Sequence, residues 1–188
     1  MTLQVRTHTR ASAQRRRAAS TLSVAAGAAA LMSLGGYLGG YRVNLTPSEP
    51  LGLWQIVLLN RSPRVGDLVF ICPPDTATMR EARTRGYLRS GLCPGHLAPM
   101  IKSVAAVGGQ RVEVANEVRV DGRSVRASAV SGKDGEGRPL TRFSGGVVPP
   151  GDVFLHSAFA GSFDSRYFGP VPASAIVGLA REMLTYAP

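Results

Sequence analysis

From Ala18 to Tyr41 the chain carries no charged side chain: AASTLSVAAGAAALMSLGGYLGGY, a run of 24 residues. A helix of about 20 apolar residues crosses a bilayer core, so this run is long enough to span one. It also exceeds the apolar stretch of an ordinary secretion signal, and no Ala-x-Ala site closes it. A cleaved signal peptide is the alternative. Gly35, Gly36, Gly39 and Gly40 give two overlapping GxxxG spacings, which allow membrane helices to pair, although such glycines are more often simply tolerated. Five arginines precede the run, Arg6, Arg10, Arg15, Arg16 and Arg17, with no acid near them. Positive charge beside a membrane segment stays cytoplasmic. The expected plan is therefore a basic cytoplasmic N-terminus (1–17), a single membrane anchor (18–42) and an exported region (43–188) of ordinary single-domain size.

Net charge is +10, carried by 20 Arg and two Lys against 12 acids. Such a balance makes nucleic acid a rival partner. However, half of the excess sits ahead of the apolar run, where membrane orientation accounts for it equally well, so nucleic acid is the less favoured partner. Cys72 and Cys93 are the only two cysteines, 21 positions apart. On the far side of the membrane an oxidising compartment favours a bridge, worth roughly 3 kcal/mol by loop closure. Two buried thiols are the alternative, and two cysteines are too few ligands for a zinc site.

The exported region reads as mainly β. LWQIVLL (53–59) and DLVFIC (67–72) are apolar strands separated by a loop with Ser-Pro and Gly-Asp. PPDTATMREARTRGYL (73–88) places Met79, Ala82 and Tyr87 at roughly helical spacing and reads as a short helix with Asp75 or Thr76 near its cap. Its Arg80, Arg83, Arg85 and Arg89 form a solvated face or, less commonly, a patch for an anionic partner. GLCPGHLAP (91–99) reads as loop and MIKSVAAVGG (100–109) as a strand. QRVEVANEVRVDGRSV (110–125) alternates strictly, placing Val112, Val114, Val118 and Val120 on one face of a hairpin. Residues 131–150 are loop by their Gly and Pro content, GDVFLHSAF (151–159) is a strand, and 172–184 is a final strand or helix.

Two residues stand out chemically. Ser48 lies in Thr-Pro-Ser-Glu-Pro, where two prolines stiffen the backbone just after the apolar run. Lys102 interrupts an otherwise apolar strand and faces the same side as Met100 and Val104. A lysine buried there loses hydration, its pKa falls, and a neutral amine can act as a general base. The plainer reading is a lysine snorkelling from a strand edge. Together, Ser48 and Lys102 allow a Ser-Lys dyad. A Ser-His-Asp triad has less to recommend it: no Gly-x-Ser-x-Gly elbow is present, and His96 and His156 lie outside any nucleophile motif. His156 retains some claim to a site role because SFDSR follows it closely.

TPSEPLGLW (46–54), VGDLVFICPP (65–74), RGYLRSGLCPGHLAPMIKSVAAVGGQRVEV (85–114) and SFDSRYFGPVPASAIVGLA (162–180) resemble, in order, the conserved boxes of type I signal peptidases. Within them the chain is most similar to the TraF-type maturation peptidases of conjugative transfer systems. The resemblance implies a signal-peptidase-like β catalytic domain with one or two short helices behind a single transmembrane helix. It implies Ser48 as nucleophile, Lys102 as general base and Asp164 as a required acid. Ser162 and Arg166 would orient the lysine and brace the site, and Thr46 would join the Ser48 N–H in an oxyanion hole. The chain departs from the family pattern at Ser103, where many members carry a basic residue, and at Gly108-Gly109-Gln110.

The implied activity is cleavage of a conjugative pilin precursor by a single-pass inner-membrane serine peptidase whose catalytic domain is periplasmic. The acyl-enzyme would be released by water or by the pilin's own N-terminal amine, which would give a cyclic product. No cofactor or metal is needed. The expected partners are a pilin precursor or another exported protein, the inner membrane and other transfer proteins. A housekeeping signal peptidase with broader substrates is the nearest alternative. A non-enzymatic membrane-anchored transfer subunit binding DNA or protein is the alternative of another class.

Overall fold

The computed structural model describes residues 4–187, with side chains from residue 14 onward. The side chains of Arg6 and Arg10, on which part of the orientation argument rests, lie outside the described residues. The chain divides into two units, residues 1–41 and 42–188. The first holds helix α1 (Gln4–Leu38), whose Gln14–Leu38 portion is long and apolar enough to cross a membrane. The helix closes before the charge-free run does. Gly39 and Gly40 turn the chain, and Tyr41 already belongs to a strand.

Among the described residues, twelve strands and two short α-helices follow α1 in the order β1 (Tyr41–Asn44), β2 (Leu51–Val57), β3 (Leu68–Ile71), α2 (Ala77–Thr84), β4 (Ser90–Cys93), β5 (Met100–Val107), β6 (Arg111–Val114), β7 (Val118–Val120), β8 (Arg123–Ser124), β9 (Gly146–Val147), β10 (Asp152–His156), α3 (Ser165–Phe168), β11 (Val171–Pro172) and β12 (Ile176–Tyr186). Seven strands form the main sheet in the order β1-β2-β12-β3-β5-β10-β11, and four form a smaller sheet in the order β8-β7-β6-β9. The mainly β architecture with short helices is the one read from the sequence.

Local chemistry explains most elements. Val112, Val114, Val118 and Val120 are buried as their alternation requires, and they pack with Ala106, Val148 and Phe154 between the two sheets. Asp121 (φ 48°) and Gly122 (φ 77°) take the left-handed conformations that a two-residue hairpin turn demands. Thr76 caps α2 by accepting the Met79 N–H, and Met79 and Ala82 are its buried face. The 172–184 segment begins at the end of β11, makes one 3-10 turn over Ala173–Ala175 and from Ile176 onward is the strand β12. Inserted between β2 and β3, it pairs with both and needs the extended form to do so.

Two segments read as loop contain short strands. Residues 90–93 form β4 and bridge to Leu97, and Gly146–Val147 pairs with β6. Neither carries the apolar alternation that β6 and β7 share. The structure bridges Cys72 to Cys93, which ties the end of β3 to β4 and packs beside Met79, Ala82, Leu88 and Leu97.

Candidate active site

The turn that holds Ser48 is built around Asn44. Its side-chain amide donates to the carbonyls of Thr46 (2.9 Å), Glu49 (2.9 Å) and Pro50 (3.0 Å). Its Oδ1 accepts from the Thr46 N–H (3.1 Å) and the Thr46 hydroxyl (2.8 Å). One side chain thus organises six residues, the kind of local asparagine–backbone bonding that fixes turns. Trp54, fully buried, holds the far end by donating Nε1–H to the Pro50 carbonyl at 2.9 Å. At Gly52 (φ 126°) a Cβ would lie 2.3 Å from the Leu184 carbonyl, so only glycine lets β2 reach β12 there. Ser157 donates its hydroxyl to the Ser48 carbonyl, clamping the turn from the opposite side.

Within this frame the Ser48 Oγ lies 3.5 Å from Thr46 Oγ1. Among the described residues no acceptor takes the Ser48 N–H. The Thr46 hydroxyl faces both Asn44 and Ser48, so it can turn from one to the other.

Lys102 sits in the middle of β5, opposite Val69 of β3, and is 3% exposed. Burial lowers its pKa to about 8, against the opposing pull of Asp164 and Glu49, and the charge of Arg166 adds to the lowering. The strand environment therefore yields an amine that is still largely charged at pH 7 and becomes mostly neutral only above about pH 8, far below an ordinary lysine. Glu49, half-buried beside Ser48, is pushed up by burial, opposed by the Lys102 charge and reinforced by Glu182.

Behind the lysine lies a second buried assembly. Asp164 caps the short helix α3 and receives a forked pair of bonds from Arg166, Nε to Oδ1 and Nη2 to Oδ2, each 2.8 Å. The Ser157 N–H reaches Oδ2 at 3.0 Å, and His156 Nδ1 lies 3.5 Å from the same oxygen. Burial pushes the Asp164 carboxyl up, but these contacts with His156 and Arg166 outweigh it and hold the group below the usual carboxylate range. Arg166, itself fully buried, also donates to the carbonyls of Ala129 (2.6 Å) and Ser162 (3.2 Å). Ser162 is buried, and its Oγ has no hydrogen-bond partner among the described residues.

Thr46, Ser48, Lys102 and Ser162 line a single cavity of about 700 Å³, with Leu88, Arg89, Met100 and Phe159 among its walls. Asp164 and Arg166 lie behind that wall, and Cys72–Cys93 braces the segment leading into it. His156 is not among the cavity's lining residues; it is packed against Asp164, and its Nε2 lies 3.3 Å from the Arg126 carbonyl. Sequence reasoning missed Asn44, Glu49 and Ser157. Asn44 carried a signal, an asparagine two residues before Thr-Pro. Ser157 carried none, because its contact spans 109 residues of sequence. Among the described residues no three His, Cys, Asp or Glu side chains gather where a metal could bind.

The family-model match and the sequence relatives agree with one another. A family model described as signal peptidase, peptidase S26, matches residues 15–185. The probable conjugal transfer protein TraF of Sinorhizobium fredii (strain NGR234) is 68% identical over 152 residues, covering 81% of each chain. The conjugal transfer protein TraF of Agrobacterium tumefaciens (strain 15955) is 59% identical over 92% of this chain and 98% of that one. A plasmid transfer protein TraF of Escherichia coli is 38% identical over 88% of this chain and 94% of that one. A crystal structure of a signal peptidase I from Enterococcus faecalis aligns at 19% identity with a TM-score of 0.39, over 63% of this chain and 97% of that one.

Proposed function

This chain belongs to the signal peptidase family, peptidase S26, and from that premise we propose that it is a membrane-anchored serine endopeptidase working through a Ser48–Lys102 dyad. Its substrate is the pilin precursor of a conjugative transfer system. The conjugal and plasmid transfer proteins to which it is similar support that setting. The observation that carries the reading is that Ser48 and a buried lysine of lowered pKa line one cavity.

In this mechanism neutral Lys102 takes the Ser48 hydroxyl proton as Oγ attacks the scissile carbonyl carbon. The oxyanion receives hydrogen bonds from the Ser48 N–H and the Thr46 hydroxyl. The C–N bond then breaks, Lys102 returns its proton to the leaving amine, and an ester on Ser48 remains. Water, or the substrate's own N-terminal amine, attacks that ester and restores the Ser48 hydroxyl. Asp164 and Arg166 hold the SFDSR turn in place, and Ser162, a residue of the cavity wall whose buried hydroxyl has no partner among the described residues, orients the lysine. The five N-terminal arginines set the catalytic unit on the periplasmic side of the inner membrane.

The test is maturation of the pilin precursor in cells carrying Ser48→Ala or Lys102→Ala, read by intact mass. Each variant should accumulate unprocessed precursor while remaining folded and membrane-bound. Normal processing by either overturns the dyad. In the parent strain, a product lighter than the linear form by one water identifies the amine as acceptor.

A further inference from the structure

Four arginines follow one another along α2 and the segment after it; two of them, Arg83 and Arg89, have no carboxylate partner among the described residues, and of those two only Arg89 lines the cavity. Arg80 pairs with Asp75 at 2.7 Å. Arg85 pairs with Glu81 and donates to the Pro139 carbonyl at 2.8 Å. Arg83 donates to the Gly95 carbonyl at 2.7 Å. Arg89 is exposed, and among the described residues no carboxylate lies within ion-pairing distance of it. Its one side-chain bond runs from Nη2 to the Leu45 carbonyl at 3.5 Å. That contact draws the guanidinium across to the segment that carries Thr46 and Ser48.

Arg89 also lines the same cavity as Ser48. The cavity's lining includes two charged residues, Arg89 and Lys102, and none of the chain's 12 acids. A guanidinium stays protonated at any accessible pH, and its planar fork fits a carboxylate bidentately. A peptide laid along the cavity therefore meets one permanent positive charge in the lining, and no acid lines the same wall, Glu49 lying outside it.

We propose that Arg89 is a specificity-determining residue that selects substrates carrying a carboxylate close to the scissile bond. The carboxylate belongs either to an acidic side chain or to the C-terminus of a short trailing segment. The inference rests on the peptidase reading above and names its substrate class. An exposed ion pair of this kind changes affinity by up to about fivefold. The preference is largest at low ionic strength. A lysine at the same substrate position is disfavoured by like charge.

The experiment uses the full-length protein in detergent, carrying Ser48→Ala so that binding is read without turnover. Peptides centred on Ala-Ala, amidated at the C-terminus, carry Glu, Gln or Lys at each flanking position in turn. A neutral peptide with a free C-terminal carboxylate is compared with its amide, which separates the two sources. Calorimetric titration should show one carboxylate position binding roughly fivefold tighter than its neutral counterpart, with the Lys peptide weakest. Arg89→Gln brings that ratio near one, and Arg89→Glu reverses the order. An arginine that merely braces Leu45 would weaken all peptides alike and leave the order intact. Absence of a charge preference in the Ser48→Ala protein, or an order unchanged by Arg89→Glu, overturns the proposal. Cleavage of the same peptides by the unmodified enzyme is scored separately. If none is cut while binding still follows charge, the peptidase reading fails and the Arg89 site stands.

Discussion

Lys102 is where function and stability pull against each other. Its ammonium has a pKa of 10.5 when solvated and about 8 in the fold. Below pH 8 the unfolded and folded chains both carry the charge, and the folded chain pays the full burial penalty, roughly 3 kcal/mol for a shift of this size. As pH rises from about 8 to above 10.5 the penalty disappears, because neither state is charged. Lys102→Met should therefore raise stability to denaturant at pH 7, raise it much less at pH 10, and abolish cleavage. Loss of stability at pH 7 would contradict the burial argument. Asn44 is the complementary case, a residue with no chemistry and many bonds. Asn44→Ala removes the contacts that hold Thr46, Glu49 and Pro50. Turnover should fall at least tenfold, with about 1–3 kcal/mol of stability lost. Unchanged turnover would show that the prolines alone hold Ser48. The two residues also differ in how readable they were. Lys102 stood out because an apolar strand makes any charge conspicuous. The contacts of Asn44 with Glu49 and Pro50 depend on the finished turn, which no spacing rule specifies.

At the level of elements, periodicity revealed whatever was long enough to be periodic. The β6–β7 hairpin and the capped α2 were legible because one face of each is buried and the pattern records it, and β5 because its near-continuous apolar run, buried on both faces at Ile101 and Lys102, made the lysine conspicuous. β4 and β9 were not legible, since Ser90-Gly91-Leu92-Cys93 and Gly146-Val147 carry no apolar alternation of the kind β6 and β7 share, and both owe their pairing to neighbours. The final strand was ambiguous for a related reason: β12 is apolar at its start and mixed later, and only its place between β2 and β3 decides for extension. The Cys72–Cys93 bridge is the covalent support for β4 and for the Leu88–Ser90 wall of the cavity. Replacing both cysteines with serine should cost about 3 kcal/mol. It should also raise KM more than it lowers kcat, because the wall loosens while Ser48 and Lys102 sit on other elements. Equal loss in kcat with KM unchanged would contradict that division.

For the molecule as a whole, the first unit supplies a helix able to cross a membrane, and the second folds around its own sheets with the candidate site on one side of the main sheet. The long-range assembly is what the sequence could least display. Ser48 and Ser157 are 109 residues apart, and Arg166 and Ala129 are 37 apart, yet each pair is hydrogen-bonded. Order of motifs stood in for those contacts: the resemblance offered Ser48, Lys102 and Asp164 with Ser162 and Arg166 as their supports, and left Asn44 and Ser157 unseen. All of this converges on one claim, that a lysine buried by the fold deprotonates Ser48. The measurement that tests it most directly is kcat/KM for peptide cleavage as a function of pH. The account predicts a rate that rises through an apparent pKa of about 8 as Lys102 loses its proton. A profile that is flat from pH 6 to pH 10, or that falls across that range, would contradict it.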